Sequence, residues 1–192
     1  MPRRQLVFVA ECYYHVYNRG VNHAPVFFGA RNYVYFLRLL KQNVERYEVA
    51  VTAYCLMPNH YHLLIRPASD DGVRRLMKSL AGSYVQAVNL ELGRNGSLFE
   101  GRFRAVWVDR EAYLMHLARY IHLNPVEAKL VSRPEEWAYS NYRDVIGLRC
   151  GMLKDTTLVP GLFEQGQAYR SFVEEGISEA DTPGDLEAYW LD

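Results

Sequence analysis

Only three cysteines occur in 192 residues, Cys12, Cys55 and Cys150, scattered and with no CxxC spacing. An odd, unclustered set excludes a disulfide scaffold and a zinc knuckle, and points to reduced thiols in a cytoplasm. Long apolar runs are missing too. Stretches such as Val49-Ala50-Val51 and Leu63-Leu64-Ile65 fall far below the roughly 18 residues of a membrane span, so no membrane partner is expected. Met1-Pro2-Arg3-Arg4 precedes only a brief apolar segment without a small-residue cleavage site, which argues against a signal peptide. With 49% hydrophobic and 23% charged residues, composition excludes disordered, collagenous and coiled-coil classes. The length suits one core with decorations.

Net charge is also absent, but only as a sum. Residues 160–192 hold one basic residue, Arg170, against eight acidic ones, a net of −7; with 22 residues of each sign in the whole chain, residues 1–159 carry +7. A basic body with an acidic tail is compatible with a polyanionic ligand, although such an excess is commonly just a solvated surface. Such a tail either folds back over the basic body or forms a solvated end. Leu162, Phe163, Tyr169, Phe172 and Trp190 are the apolar residues that could hold it. The charge shift begins after Pro160; the chain is read as residues 1–150, the functional domain, and 151–192, an acidic, helical C-terminal extension.

Hydrophobic patterning gives the elements. Residues 12–19 are rich in tyrosine and valine and stop at Gly20, a strand signature. Residues 31–47 place Tyr33, Phe36, Leu37, Leu40, Val44 and Tyr47 at helical spacing. Residues 49–57 read as a buried strand, and Pro58-Asn59 turns into a second strand over 60–66. Val73, Leu76, Met77, Leu80, Tyr84, Val88 and Leu92 predict a helix over 73–92, followed by a short strand over 104–108. A third helix over 111–123 follows from Leu114, Leu117 and Ile121; Pro125 disfavours helical geometry at Asn124 and is expected to end it there. Strand, helix, strand, strand, helix, strand is the order of an α+β, ferredoxin-like split βαβ fold, with an antiparallel sheet and helices on one face.

Two patterns carry chemistry. In His60-Tyr61-His62 the period of two sends both imidazoles to one face of a strand, where two nitrogens can share a metal. The ordinary reading, polar residues at a strand start, weighs less beside a buried strand, where unpaired polar groups are costly. On the third helix Tyr113, His116, Tyr120 and Asn124 form one stripe beside the apolar one, as at the border of a cleft. With 15 tyrosines in the chain, spacing alone singles out none of them.

The run Leu56-Met57-Pro58-Asn59-His60-Tyr61-His62-Leu63-Leu64-Ile65, followed by Arg119-Tyr120-Ile121-His122-Leu123-Asn124-Pro125-Val126, resembles the two signature motifs of single-tyrosine HUH transposases, the insertion-sequence-200-like group. Tyr14-His15-Val16-Tyr17-Asn18-Arg19-Gly20, Gly101-Arg102-Phe103 and Trp137-x-x-Ser140-x-Tyr142 are similar to the subgroup of REP-associated tyrosine transposases. The resemblance spans about residues 12–145. A tyrosine in the middle of the HUH motif and Glu127, where the subgroup commonly shows a basic residue, depart from it.

The resemblance implies a catalytic domain that nicks single-stranded DNA near a hairpin and leaves a 5′-phosphotyrosine. Tyr120 matches the nucleophile, His60 and His62 the metal pair, and Asn124 a third, amide-bearing ligand. Mg²⁺ prefers oxygen and Mn²⁺ accepts imidazole more readily, so both are named as cofactors. Arg19, Arg74, Arg75, Lys78, Arg102 and Arg104 are the candidate DNA contacts, interleaved with aromatic residues on which bases stack. The expected partner is single-stranded DNA with a palindromic hairpin; the protein is expected as a monomer or homodimer, in the cytoplasm at the nucleoid. Two rivals stand: a hairpin-binding protein of this fold without catalysis, and a zinc hydrolase, which three ligands and an open position also describe but which lacks an HExxH motif.

Overall fold

The computed structural model describes residues 6–109, 111–151, 153 and 166–178. Among the described residues four strands and five α-helices follow in chain order: β1 (Tyr13–Arg19), α1 (Ala30–Tyr47), β2 (Val49–Met57), β3 (His60–Pro67), α2 (Gly72–Glu91), β4 (Arg104–Val108), α3 (Glu111–Glu127), α4 (Tyr142–Val145) and α5 (Gly166–Ser178). The sheet order is β2-β3-β1-β4 and every pair is antiparallel. The connection from β1 through α1 to β2 skips one strand, which β3 fills. This is the split βαβ arrangement expected from the element order.

Alternation along the strands sorts the side chains onto two faces. Tyr14 and Val16 of β1, Tyr54 and Leu56 of β2, and Tyr61, Leu63 and Ile65 of β3 point to one side. There they meet Phe36 and Leu40 of α1 and Leu76, Leu80 and Tyr84 of α2 in the larger core. Ala53, Cys55, Met57, Leu64 and Val108 point to the other, against Leu114, Leu117 and Ile121 of α3. The expectation of helices on one face holds for α1 and α2, and α3 corrects it. β2 and β3 are apolar on both faces, and the second face has to be covered as well.

α3 also runs past its expected end, continuing through Pro125 to Glu127. The proline forfeits one hydrogen bond near the helix terminus, where the loss is small compared with the interior. The helix then closes with Lys129 in the left-handed region, Lys129 N–H donating to Val126 O (2.8 Å) and Leu130 N–H to Pro125 O (2.9 Å). These two bonds form a Schellman cap.

The start of β3 is tied down. At Gly20 an added Cβ would lie 2.0 Å from Ala24 O, so only glycine lets the 21–24 turn pass this closely. That turn reaches back to the β2–β3 connection, where the Asn59 amide donates to His23 O at 3.2 Å. The free edge of β2 is capped by residues 139–141, through Leu56 N–H to Tyr139 O and Asn141 N–H to Tyr54 O. α5 docks on α3 with Tyr169 and Val173 buried in the smaller core, and Phe172 packs partly buried against it. Leu162, Phe163 and Trp190 lie outside the described residues. Among the described residues, no helix is long and apolar enough to cross a membrane.

Candidate active site

The smaller core is apolar at one end only. Going toward the start of β3, successive rows on its sheet face read Ala53–Leu64–His15–Val106, then Cys55–His62–Tyr17–Arg104, then Met57–His60–Arg19. The apolar residues give way to imidazoles, a phenol and guanidinium groups. α3 crosses above these rows, and its Tyr120 and Asn124, one turn apart, come down over the histidines. The Tyr120 ring stands edge-on to His62 at 5.5 Å between centroids and to His15 at 6.5 Å. Asn124 Oδ1 lies 3.3 Å from His60 Nε2. The rings of His60 and His62 are 4.9 Å apart and nearly perpendicular.

Neighbouring amides fix which nitrogen of His60 faces the site. The Asn59 amide donates to His23 O, so its Oδ1 is the atom turned to His60 Nδ1 at 2.7 Å. An amide oxygen only accepts, hence Nδ1 carries the proton. Asn124 likewise donates its amide to Tyr120 O at 3.3 Å and turns Oδ1 toward His60 Nε2. Two lone pairs therefore face each other wherever His60 is neutral. Burial favours that neutral form, lowering the His60 pKa; the Asn124 contact opposes this, and the Arg19 charge adds to it. A cation between the two atoms would satisfy both.

His62 is fully buried, and its pKa lies well below the ordinary histidine value, first through burial and then through His15 and His60. Its Nδ1 is 2.9 Å from His15 Nε2. Its Nε2 is buried with no hydrogen-bond partner among the described residues, a costly state for a polar atom unless a ligand completes it. A neutral imidazole with an uncommitted nitrogen is the form that binds a metal. The donor set fits a divalent ion: two imidazole nitrogens and one amide oxygen. Among the described residues no three His, Cys, Asp or Glu side chains gather into a metal-binding group, and the further oxygen that faces His60 is the Asn124 amide.

The structure thus brings together His60, His62, Tyr120 and Asn124. Arg19 borders them, paired across β1 with His60 and held by Glu100 at 3.1 Å. Arg104 is exposed on the edge strand and shares a sheet row with His62, and exposed Arg102 lies just before it. Arg74, Arg75 and Lys78 are not brought to this place. They sit on α2, on the opposite face of the sheet and beyond the far end of β3. There Arg74 donates to Leu6 O and lies over Phe8, and Arg75 pairs with Asp71 and lies over Tyr47. The helix stripe also divides. Tyr120 and Asn124 face the sheet, while His116 turns to α5, its ring 5.3 Å from Phe172.

Sequence reasoning missed His15, Tyr17 and Asn59 as parts of this site. His15 and Tyr17 carried a readable signal, because Tyr13, His15, Tyr17 and Arg19 occupy alternate positions of one strand, the period that also singled out His60 and His62. Asn59 was read only as a turn residue. Its second role depends on the 21–24 turn and left no local trace.

Comparison with known proteins identifies the family. The family model described as "Transposase IS200 like" matches residues 8–124, from the approach to β1 through Asn124. A REP-associated tyrosine transposase of Haemophilus influenzae is 27% identical over 121 residues, covering 57% of this chain and 69% of that one. Among solved structures, a REP-associated tyrosine transposase bound to a REP hairpin superposes with a TM-score of 0.65 at 15% identity, over 82% of this chain and 94% of that one. A transposase of Deinococcus radiodurans reaches a TM-score of 0.44 at 18% identity, over 62% and 95% of the two chains. The hairpin-bound structure supports the fold, and the family match spans more than half of the chain and contains the histidine pair, the tyrosine and the asparagine; the chain belongs to the IS200-like transposase family.

Proposed function

We propose that this protein is a metal-dependent single-stranded DNA endonuclease and strand transferase that cuts near a hairpin with Tyr120 as nucleophile. The observation that carries the reading is the placement of Tyr120 edge-on to His62, with Asn124 one turn further on and facing His60. A phenol with a pKa near 10 is a weak nucleophile at neutral pH. His60, His62 and Asn124 would hold a Mg²⁺ or Mn²⁺ ion, which would supply charge neutralisation at the scissile phosphate and favour the Tyr120 phenolate beside it. Imidazole ligands favour Mn²⁺ of the two.

Tyr120 Oη forms the new bond to phosphorus while the bond to the 3′-oxygen breaks in line with it. Its proton goes to water, and the departing oxygen takes one to become a free 3′-hydroxyl. The DNA stays attached as a 5′-phosphotyrosine. No phosphodiester energy is lost to hydrolysis, so a second 3′-hydroxyl can reverse the step and join strands. Arg19, Arg102 and Arg104 border the path that single-stranded DNA takes to Tyr120. The solved structure of like fold holds a REP hairpin, which supports a hairpin ligand here; on this reading the protein would work on DNA at the nucleoid, in the cytoplasm.

A labelled hairpin oligonucleotide incubated with the protein and Mn²⁺ tests this. The wild type yields a covalent adduct, and Tyr120→Phe yields none while binding the hairpin within a few-fold. An adduct in Tyr120→Phe moves the nucleophile elsewhere, with Tyr113 next on the helix. Hairpin binding without any adduct makes the protein a non-catalytic hairpin binder, and hydrolysis without an adduct makes it a hydrolase.

A further inference from the structure

His15 is fully buried on the central strand β1, and nothing so far gives it a task in the reaction. Its ring lies nearly parallel to that of His62, 5.1 Å between centroids and 19° between planes, and meets it edge to edge with Nε2 2.9 Å from His62 Nδ1. Both side chains are 0% exposed. Two neutral imidazoles at this distance share a single hydrogen, because one nitrogen must donate and the other accept. Two arrangements are available. If His15 Nε2 donates, His62 carries its proton on Nε2, a buried N–H that finds no acceptor among the described residues. If His62 Nδ1 donates, the His15 proton sits on its buried Nδ1 and His62 Nε2 is left as a bare lone pair turned into the site, the one arrangement in which a cation there can be bound.

We propose that His15 is a positioning residue: it accepts the Nδ1–H of His62, and so fixes the ring and tautomer that present Nε2 to the metal. The inference rests on the metal-dependent reading of the site given above. Imidazole ligands are held in this manner by a partner on the second nitrogen, and loss of such a partner typically weakens metal binding by about 10–100-fold. Carboxylates and carbonyls are the usual partners; here a neutral imidazole takes the place. It adds no charge, so the site depends on Tyr120 and the bound phosphate for its anions. Asn59 performs the corresponding service for His60. The two metal-facing nitrogens are thus each set by a residue one step back, one from the turn and one from the neighbouring strand.

The test uses the full-length protein, Mn²⁺ alone as probe, and calorimetric or electron-spin titration without DNA. His15→Phe keeps the aromatic volume and removes the acceptor; Mn²⁺ affinity should fall about tenfold or more. His15→Gln places an amide oxygen near the lost Nε2 and should keep affinity within about threefold. Nitrogen-15 spectra of the wild type should show His62 with its proton on Nδ1. Mn²⁺ binding by His15→Phe equal to wild type overturns the proposal, as does a wild-type His62 protonated on Nε2. If His15→Phe does not fold, the spectrum of the wild type and the affinity of His15→Gln decide. The parent reading fails separately: it falls if a His60→Ala/His62→Ala variant still binds Mn²⁺ at full affinity. The positioning role alone falls if that variant loses Mn²⁺ while His15→Phe does not.

Discussion

The two faces of one sheet have been put to different uses by the same strands. On the α1/α2 face, Tyr61, Leu63 and Ile65 of β3 join a continuous apolar core with Phe36, Leu40, Leu76 and Leu80. On the α3 face the intervening residues are the imidazoles His60 and His62, and His62 Nε2 is buried with no hydrogen-bond partner among the described residues. A period of two is enough to keep the sites of stability and of chemistry on alternate residues of a single strand. Each can then change without the other, provided the strand keeps its register. The α3 face itself makes the transition within a few residues, from Leu64 and Leu114 at one end to His62 and Tyr120 at the other.

Adjacent substitutions on opposite faces should break the comparison most visibly. Leu63 is fully buried in the larger core, and Leu63→Ala should cost about 2–5 kcal/mol of unfolding free energy through lost burial and a cavity. His60 is half-buried at the strand start, and His60→Ala should cost about 1 kcal/mol or less yet remove most Mn²⁺-dependent adduct formation. Urea midpoints and adduct gels on both variants are the measurements. A His60→Ala protein as unstable as Leu63→Ala would mean that the polar end of the α3 face is structural after all.

A second polar cluster in the same layer sharpens the contrast, because it is fully partnered. His122 of α3 has Nδ1 2.6 Å from Tyr169 Oη of α5 and Nε2 2.9 Å from Asn141 Oδ1. Asn141 in turn receives Tyr54 N–H at 2.7 Å and donates to Thr52 O at 3.0 Å. Burial pushes the His122 imidazole down to about 4, with the Asn141 contact opposing it. Unfolded histidine titrates near 6.5, so between these values the unfolded chain binds a proton that the folded chain refuses, and stability falls as pH falls. His122 should therefore take about 2 kcal/mol from stability between pH 7 and pH 5. His62 and His60, also lowered, act in the same direction. Urea unfolding at the two pH values should show a smaller loss in His122→Gln than in wild type; equal losses would remove His122 as a source of the slope.

How much of this was legible in the sequence depended on how local each cause is. β2 and β4 fall at their expected bounds and β3 at its expected start, because apolar runs and the Pro58-Asn59 turn are local signals. The pairing of His60 with His62 followed from strand period, and that of Tyr120 with Asn124 from helix period. The continuation of α3 through Pro125 was not legible, since the cap at Lys129 that makes it tolerable is formed by backbone geometry. Nor was the covering of the second sheet face by α3, because periodicity says that a face is apolar and not which helix will pack there. The six basic residues looked alike in the sequence; only the topology divides them between two faces.

That division gives the smallest effect and the sharpest remaining contrast between the faces. Arg104 is exposed on the α3 face, in the same row as His62 and Tyr17, whereas Arg75 is exposed on α2 behind the sheet and paired with Asp71 at 3.4 Å. On the proposed reading, DNA drawn along the row toward Tyr120 would pass Arg104, and each phosphate neutralised releases about one condensed counterion, or somewhat less for a single strand. Arg104→Ala should thus weaken hairpin binding modestly and reduce the slope of log K against log salt by about 1. Arg75→Ala should leave both unchanged, since its charge lies behind the sheet and already has a carboxylate partner. Hairpin titrations at three or more salt concentrations give both slopes. Equal losses in the two variants would show that the DNA wraps around the sheet to α2; a loss in Arg75→Ala alone would put the strand on the wrong face for Tyr120 and detach the basic residues from the site.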